Sequence, residues 1–217
     1  MYPFLAHALP FVLNNFRKNN KSQEINIRRI FMKVQQLRLV EENEMTEMMI
    51  KEHIEYYLEN QRENYNSMCT RELKGHLISE ENWLRRHEYV SCEKLGVNIK
   101  VGDICFVDFG RAYTLESGFQ HFGLILTMSH GKAFVIPMTS NEQTFNQGYH
   151  PIYNPSGKPH LLRIGKVKGL HRPSVLFLND AKFINTARII DVKAHISPSS
   201  ILFELVEEKI KECLGFT

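Results

Sequence analysis

A chain of 217 residues with 43% hydrophobic and 11% aromatic content can bury the core of one or two domains, which excludes a wholly disordered protein. The formal net charge is only +3, and no apolar run approaches the roughly 18 residues that a membrane helix needs, so no membrane role is expected. The four cysteines, at 69, 92, 105 and 213, form no CxxC pair, which argues against zinc ribbons and redox centres. In a chain of this length without a secretory signal, reduced thiols in a cytoplasmic protein are expected.

In chain order, residues 4–13 are apolar but carry His7 and Pro10, and they lack the basic flank and cleavage site of a secretory signal; they read as a packed segment. Ile27, Ile30, Phe31, Val34 and Leu37 recur at steps of three and four, which predicts a helix capped by Ser22. A second helix is expected over 45–60, with Met45, Met49, His53 and Tyr56 as one stripe beside Ile50, Ile54 and Tyr57. A third is expected over 79–92, with Ser79 and Asn82 as its cap and Trp83, Leu84 and Tyr89 as its buried residues. The period changes near Gly96. Short strands are expected over 103–109, 122–128, 133–138, 174–178 and 183–190. Ser129-His130-Gly131-Lys132 is a hairpin signal, and Asn179-Asp180 a turn. Ser197 followed by Pro198 predicts the start of a last helix, which Gly215 ends. The organisation expected is a helical region, 1–96, followed by a small β-barrel domain, 97–217.

Charge is segregated along the chain. Residues 17–38 carry seven basic side chains against Glu24, residues 41–63 carry eight glutamates against Lys51 and Arg62, and residues 158–188 are basic again. The acidic block reads as a solvated helix face, with a tethered mask over the basic region as the competing idea.

Residues 97–214 resemble the PemK/MazF family of toxin endoribonucleases. The resemblance is carried by Val101-Gly-Asp-Ile-Cys-Phe-Val-Asp-Phe109, by Glu116 and Gly118, by Phe134-Val-Ile-Pro-Met-Thr-Ser140, by Gly169-Leu170, by Ser174-Val-Leu-Phe-Leu-Asn-Asp-Ala-Lys-Phe-Ile184, and by Ala187-Arg188-Ile189, all in the family's order. It implies an α+β fold, an SH3-like small barrel with a C-terminal helix, usually homodimeric. It also implies metal-independent cleavage of single-stranded RNA, without a cofactor, under the control of an antitoxin. One departure matters: the family's catalytic Arg-Pro pair is replaced here by His121 and Phe122.

RNA cleavage without a metal needs a proton acceptor for the ribose 2′-OH, a proton donor for the leaving oxygen, and donors around the phosphate. A histidine, with an ordinary pKa of about 6.5, is suited to the proton work. A hairpin centred on His130 sets His121 opposite Thr139. A turn centred between His130 and Gly131 sets it opposite Ser140 instead, with Cβ atoms roughly 5 Å apart in either register. The catalytic residues expected are therefore His121, Thr139 and Ser140. Arg111, in the loop after the first strand, and Lys166, Lys168, Arg172 and Ser174, in and after a glycine-flanked loop, are the expected RNA contacts. His150, His160 and His171 lack metal-ligand spacing, so no metal is expected. The competing reading is the same barrel without catalysis, as a binding module for nucleic acid or for a protein such as a topoisomerase; the missing arginine motivates it.

Overall fold

The computed structural model describes residues 47–216. The packed segment at 4–13, the helix over 22–38 and the Met45 end of the second helix lie outside the described residues. The chain divides into two compact units, Met1–Met68 and Cys69–Thr217.

In the first unit, helix α1 spans Glu47–Ser67. Met49, His53 and Tyr56 form its half-buried line, as the spacing requires, while Ile50, Ile54 and Tyr57 are exposed.

The second unit opens with helix α2, Thr70–Arg86. This corrects the expected 79–92 helix. Ser79 lies in mid-helix and is buried; its hydroxyl donates to the Asp108 carboxylate at 2.6 Å instead of capping. The start was hidden because Cys69 at the N-cap makes no side-chain bond and Gly75 interrupts the pattern. Trp83, Leu84 and Tyr89 are exposed, because α2 turns its polar face, Ser79 and Asn82, toward the sheet.

The strands are β1 (Asp103–Asp108), β2 (Gln120–Ser129), β3 (Lys132–Thr139), β4 (Gly148–Tyr149), β5 (Lys158–Gly165), β6 (Ser174–Phe177), β7 (Lys182–Asn185) and β8 (Ile189–His195). A short helix α3, Glu142–Gln147, precedes β4. The sheet order is β4-β5-β6-β3-β2-β1-β8, with β7 also on β3. The β4–β5 pair is parallel and the others antiparallel, so the sheet is mixed. Alternation sends Ile104, Leu124, Ile136, Leu162, Leu176 and Ala194 to one apolar cluster, where Phe203, Val206 and Ile210 of the C-terminal helix α4 (Ile201–Cys213) join them. Strands from both ends of the order reach that one core, so the sheet is curled as a small barrel with α4 packed on it. Cys105, Val107, Ile125, Val135 and Ile189 fill a second cluster on the opposite face with Cys92. This is the α+β architecture expected from the sequence.

Several details differ from expectation. β5 was not anticipated, because its exposed Lys158 and its Pro159 mask the buried Leu161, Leu162 and Ile164. The 183–190 run is broken by a 3-10 turn, Thr186–Arg188, where the Asn185 side chain accepts from the Ala187 N–H. The last helix is capped by Ser200, whose Oγ accepts from the Phe203 N–H at 3.2 Å; Ser197 and Pro198 lie in the turn before it. Gly215, at φ 78°, ends that helix as anticipated. All four cysteines are free. Burial pushes the Cys105 thiol up to about 12, so it is an inert core residue.

The β1–β2 loop is clamped at its base by Phe109 N–H to Phe119 O (2.8 Å) and Ser117 N–H to the Asp180 carboxylate (2.6 Å). At its tip, Glu116 N–H donates to Tyr113 O, which puts Leu115 at the third turn position with φ 76° and 98% exposure. That position favours glycine or asparagine. Leu115→Gly is expected to raise stability by about 0.5 kcal/mol, the left-handed strain relieved less the entropy that glycine adds to the unfolded chain, measured by urea unfolding.

Candidate active site

The β2–β3 hairpin decides where His121 sits. His130 and Gly131 both have positive φ, 47° and 76°, which makes a two-residue hairpin turn between Ser129 and Lys132. From that turn the count alone would pair His121 with Ser140. A bulge at Leu126 shifts the register by one, so that Phe122 pairs with Met138 and Gly123 with Pro137. The ladder ends at the Phe122–Met138 pair, one residue short of His121 and Thr139. On its other side His121 pairs with Val107 of β1. By alternation, His121 and Thr139 share the face of Ile125 and Val135, opposite the face of Phe122 and Met138. His121 is half-buried, and its pKa is lowered first by burial and then by Arg71 of α2, while Asp180 opposes the shift. The ring is therefore held toward its neutral form.

On the Phe122 face a cleft of about 410 Å³ opens at the same end of the sheet. Phe122, Met138 and Leu170 give it an apolar floor. Thr139 and Ser140 at the end of β3, and Ser174 at the start of β6, bring hydroxyl-bearing residues to it. The Thr139 Oγ1 accepts from the Asn141 N–H at 3.2 Å, and the buried Ser174 hydroxyl donates to the Arg172 carbonyl at 3.3 Å. His171, Arg172 and Lys193 complete the lining. Lys193 is ion-paired to Asp191, and that hydrogen bond holds the Asp191 carboxyl below its usual range.

The cleft exists because the loop over 166–173 closes onto β8. Gly169 makes this contact at φ 99°, where an added Cβ would lie 2.7 Å from the Lys193 carbonyl oxygen. The buried Val167 anchors the same loop, leaving Lys166 and Lys168 exposed beside it.

Of the residues singled out in the sequence, Thr139, Ser140, Arg172 and Ser174 line the cleft, and His121, Arg111, Lys166 and Lys168 do not. Arg111 is ion-paired with Glu80 of α2. His171 and Lys193 were not among the expected site residues. His171 adjoins Arg172 in the basic loop, a signal that could have found it. Lys193 reaches the cleft only through the closure of the barrel, which strand periodicity does not report.

No protein-family model matches the chain, and no curated protein matches it. Among solved structures, similar ones include the Mycobacterium tuberculosis toxin MazF-mt6, at 16% identity over 52% of this chain and 96% of that one, with a TM-score of 0.37. MazF from Deinococcus radiodurans is similar at 16% identity over 55% of this chain and 98% of that one, with a TM-score of 0.40. An endoribonuclease in complex with its cognate antitoxin, from a mycobacterial species, is similar at 10% identity over 55% and 98%, with a TM-score of 0.39. Each of these structures is spanned almost end to end by about half of this chain.

Proposed function

We propose that the barrel unit is a metal-independent endoribonuclease of toxin type, acting on single-stranded RNA and restrained by a protein antitoxin. The observation that carries this reading is the meeting of an imidazole, a guanidinium and three hydroxyl-bearing residues around one cleft: His171, Arg172, Thr139, Ser140 and Ser174. In this reading Arg172 and the hydroxyls of Ser140 and Ser174 donate to the scissile phosphate oxygens, while Thr139 holds the turn at Asn141. His171 takes the proton of the ribose 2′-OH, whose oxygen then attacks the adjacent phosphorus in line. The bond from phosphorus to the 5′-oxygen breaks, and that oxygen takes a proton from solvent water as it leaves, while the proton on His171 is later released to solvent. The products are a 2′,3′-cyclic phosphate and a 5′-OH end. His121, paired with Val107 on the opposite face at this end of the sheet, acts as a positioning residue; Lys166 and Lys168 follow the RNA backbone. The protein works in the cytoplasm as a homodimer.

The test is incubation of the purified full chain with a long unstructured RNA in excess EDTA. Fragments bearing 5′-OH ends are the expected result. RNA bound but left intact would instead establish the binding-module reading, which the engagement of Arg111 by Glu80 and the histidine at position 121 favour.

A further inference from the structure

The ribonuclease reading assigns the hydroxyls and His171 but leaves the floor of the cleft without a role. Phe122 lies there, a partly buried ring between its cross-strand partners Phe106, at a centroid distance of 5.4 Å, and Met138, only 2% exposed, with Leu170 also on the lining. Two cations stand at the lining on elements far apart in sheet order, Arg172 ahead of β6 and Lys193 on β8. A cavity of this size, apolar below and cationic at the sides, matches a flat ring flanked by anionic groups. A nucleotide in a single strand has that pattern: one π-face per residue, with a phosphate on either side. A duplex does not fit it, because paired bases keep their faces stacked on each other.

We infer that Phe122 is the platform on which one unpaired nucleobase of the RNA stacks, with Leu170 closing the seat, and that Lys193 holds a phosphate neighbouring the one bound by Arg172. This inference rests on the ribonuclease reading and adds to it a base seat and a second phosphate contact. Phe122 is flanked by its cross-strand partner Phe106 on β1, which limits the sideways movement of the ring. The Gly169 contact fixes the loop of Arg172 against the backbone carbonyl of Lys193 itself, which sets the spacing between the two cations. Asp191 holds the Lys193 ammonium in the unbound protein, and the incoming phosphate displaces it as an exchange of one anion for another.

The experiment measures binding of the full chain to a fluorescent oligoribonucleotide, and to the same oligomer with abasic sites throughout, over a salt series. Phe122→Leu keeps an apolar residue on the core face. It should weaken binding of the normal oligomer about tenfold, the scale of one base–aromatic stack, and leave abasic binding unchanged. Lys193→Gln should weaken both oligomers and reduce the slope of log affinity against log salt by about 0.7, the value for one phosphate contact on a single strand. Equal loss of both oligomers in Phe122→Leu, with wild-type unfolding behaviour, would overturn the base seat. An unchanged salt slope in Lys193→Gln would overturn the phosphate contact. If the wild-type chain cleaves RNA while both variants bind as wild type, the inference falls and the ribonuclease reading stands. If the wild-type chain binds neither oligomer, both fall.

Discussion

Gly102→Ala should destabilise the chain strongly, costing about 3–4 kcal/mol and lowering the urea midpoint without changing the slope. Gly102 has φ 89°, and a Cβ there would lie 2.1 Å from the carbonyl oxygen of Ile196. Its backbone is bonded on both sides, with its N–H to Ile125 O at 2.9 Å and its C=O receiving Ile196 N–H at 2.8 Å. The segment therefore cannot move away from the clash without opening the seam between β1 and β8. That seam also holds the buried Asp103, whose carboxylate pairs with His195 Nδ1 at 2.8 Å. Gly96 supplies the control: it has a similar φ, 76°, but nothing within 4 Å of an added Cβ. Gly96→Ala should cost only the left-handed strain, about 1 kcal/mol. Equal losses for the two variants would show that the seam yields and that steric contact does not set the cost.

The second large effect concerns the boundary. A chain of residues 69–217 is expected to unfold cooperatively, whereas residues 97–217 should be largely unfolded or aggregated. The reason is a carboxylate. Asp108 is 4% exposed and accepts from Ser79 at 2.6 Å, Asn82 at 2.7 Å and Gly110 N–H at 3.0 Å. Cutting at 97 removes the first two donors together with the helix that carries them and opens this side of the sheet to water. It also removes Arg86, which donates to the Ala187 and Ile189 carbonyls at 3.2 and 3.0 Å, and it removes the buried Cys92 from the second cluster. Since a domain holds only 5–15 kcal/mol in total, these losses are decisive. Circular dichroism and urea unfolding of the two fragments check this; matching midpoints would show that α2 is dispensable.

The fate of α2 also shows what the sequence could and could not tell. The strands were legible where alternation and turn chemistry agree, as in β1 and in the β2–β3 hairpin with its His130-Gly131 turn. The hydrophobic period changes near Gly96, and a boundary read from periodicity alone falls there. α2 is nonetheless tied to the barrel by polar side chains, Ser79 and Asn82 donating to Asp108 and Gln120 Nε2 donating to Ser79 Oγ at 2.7 Å, and these carry no periodic hydrophobic signal. β5 was hidden for the related reason that Lys158 and Pro159 give its start the look of a loop. In the site, hairpin counting reached the neighbourhood of His121 and Thr139, and the Leu126 bulge, which no residue type signals, shifts the ladder by one between the turn and Phe122. Counting along strands does not report which face becomes a cleft. That depended on Gly169 meeting β8 across the curled sheet, and this long-range closure brought His171 and Lys193 to Arg172.

The most direct test of the account is the single-turnover rate of RNA cleavage in EDTA for the wild-type chain, His171→Ala and His121→Ala, each checked for native unfolding behaviour. Loss of the cleft imidazole should lower the rate by about a hundredfold or more, the range of one general acid–base group, and loss of His121 by less. Wild-type cleavage by His171→Ala would contradict the placement of the chemistry in the cleft.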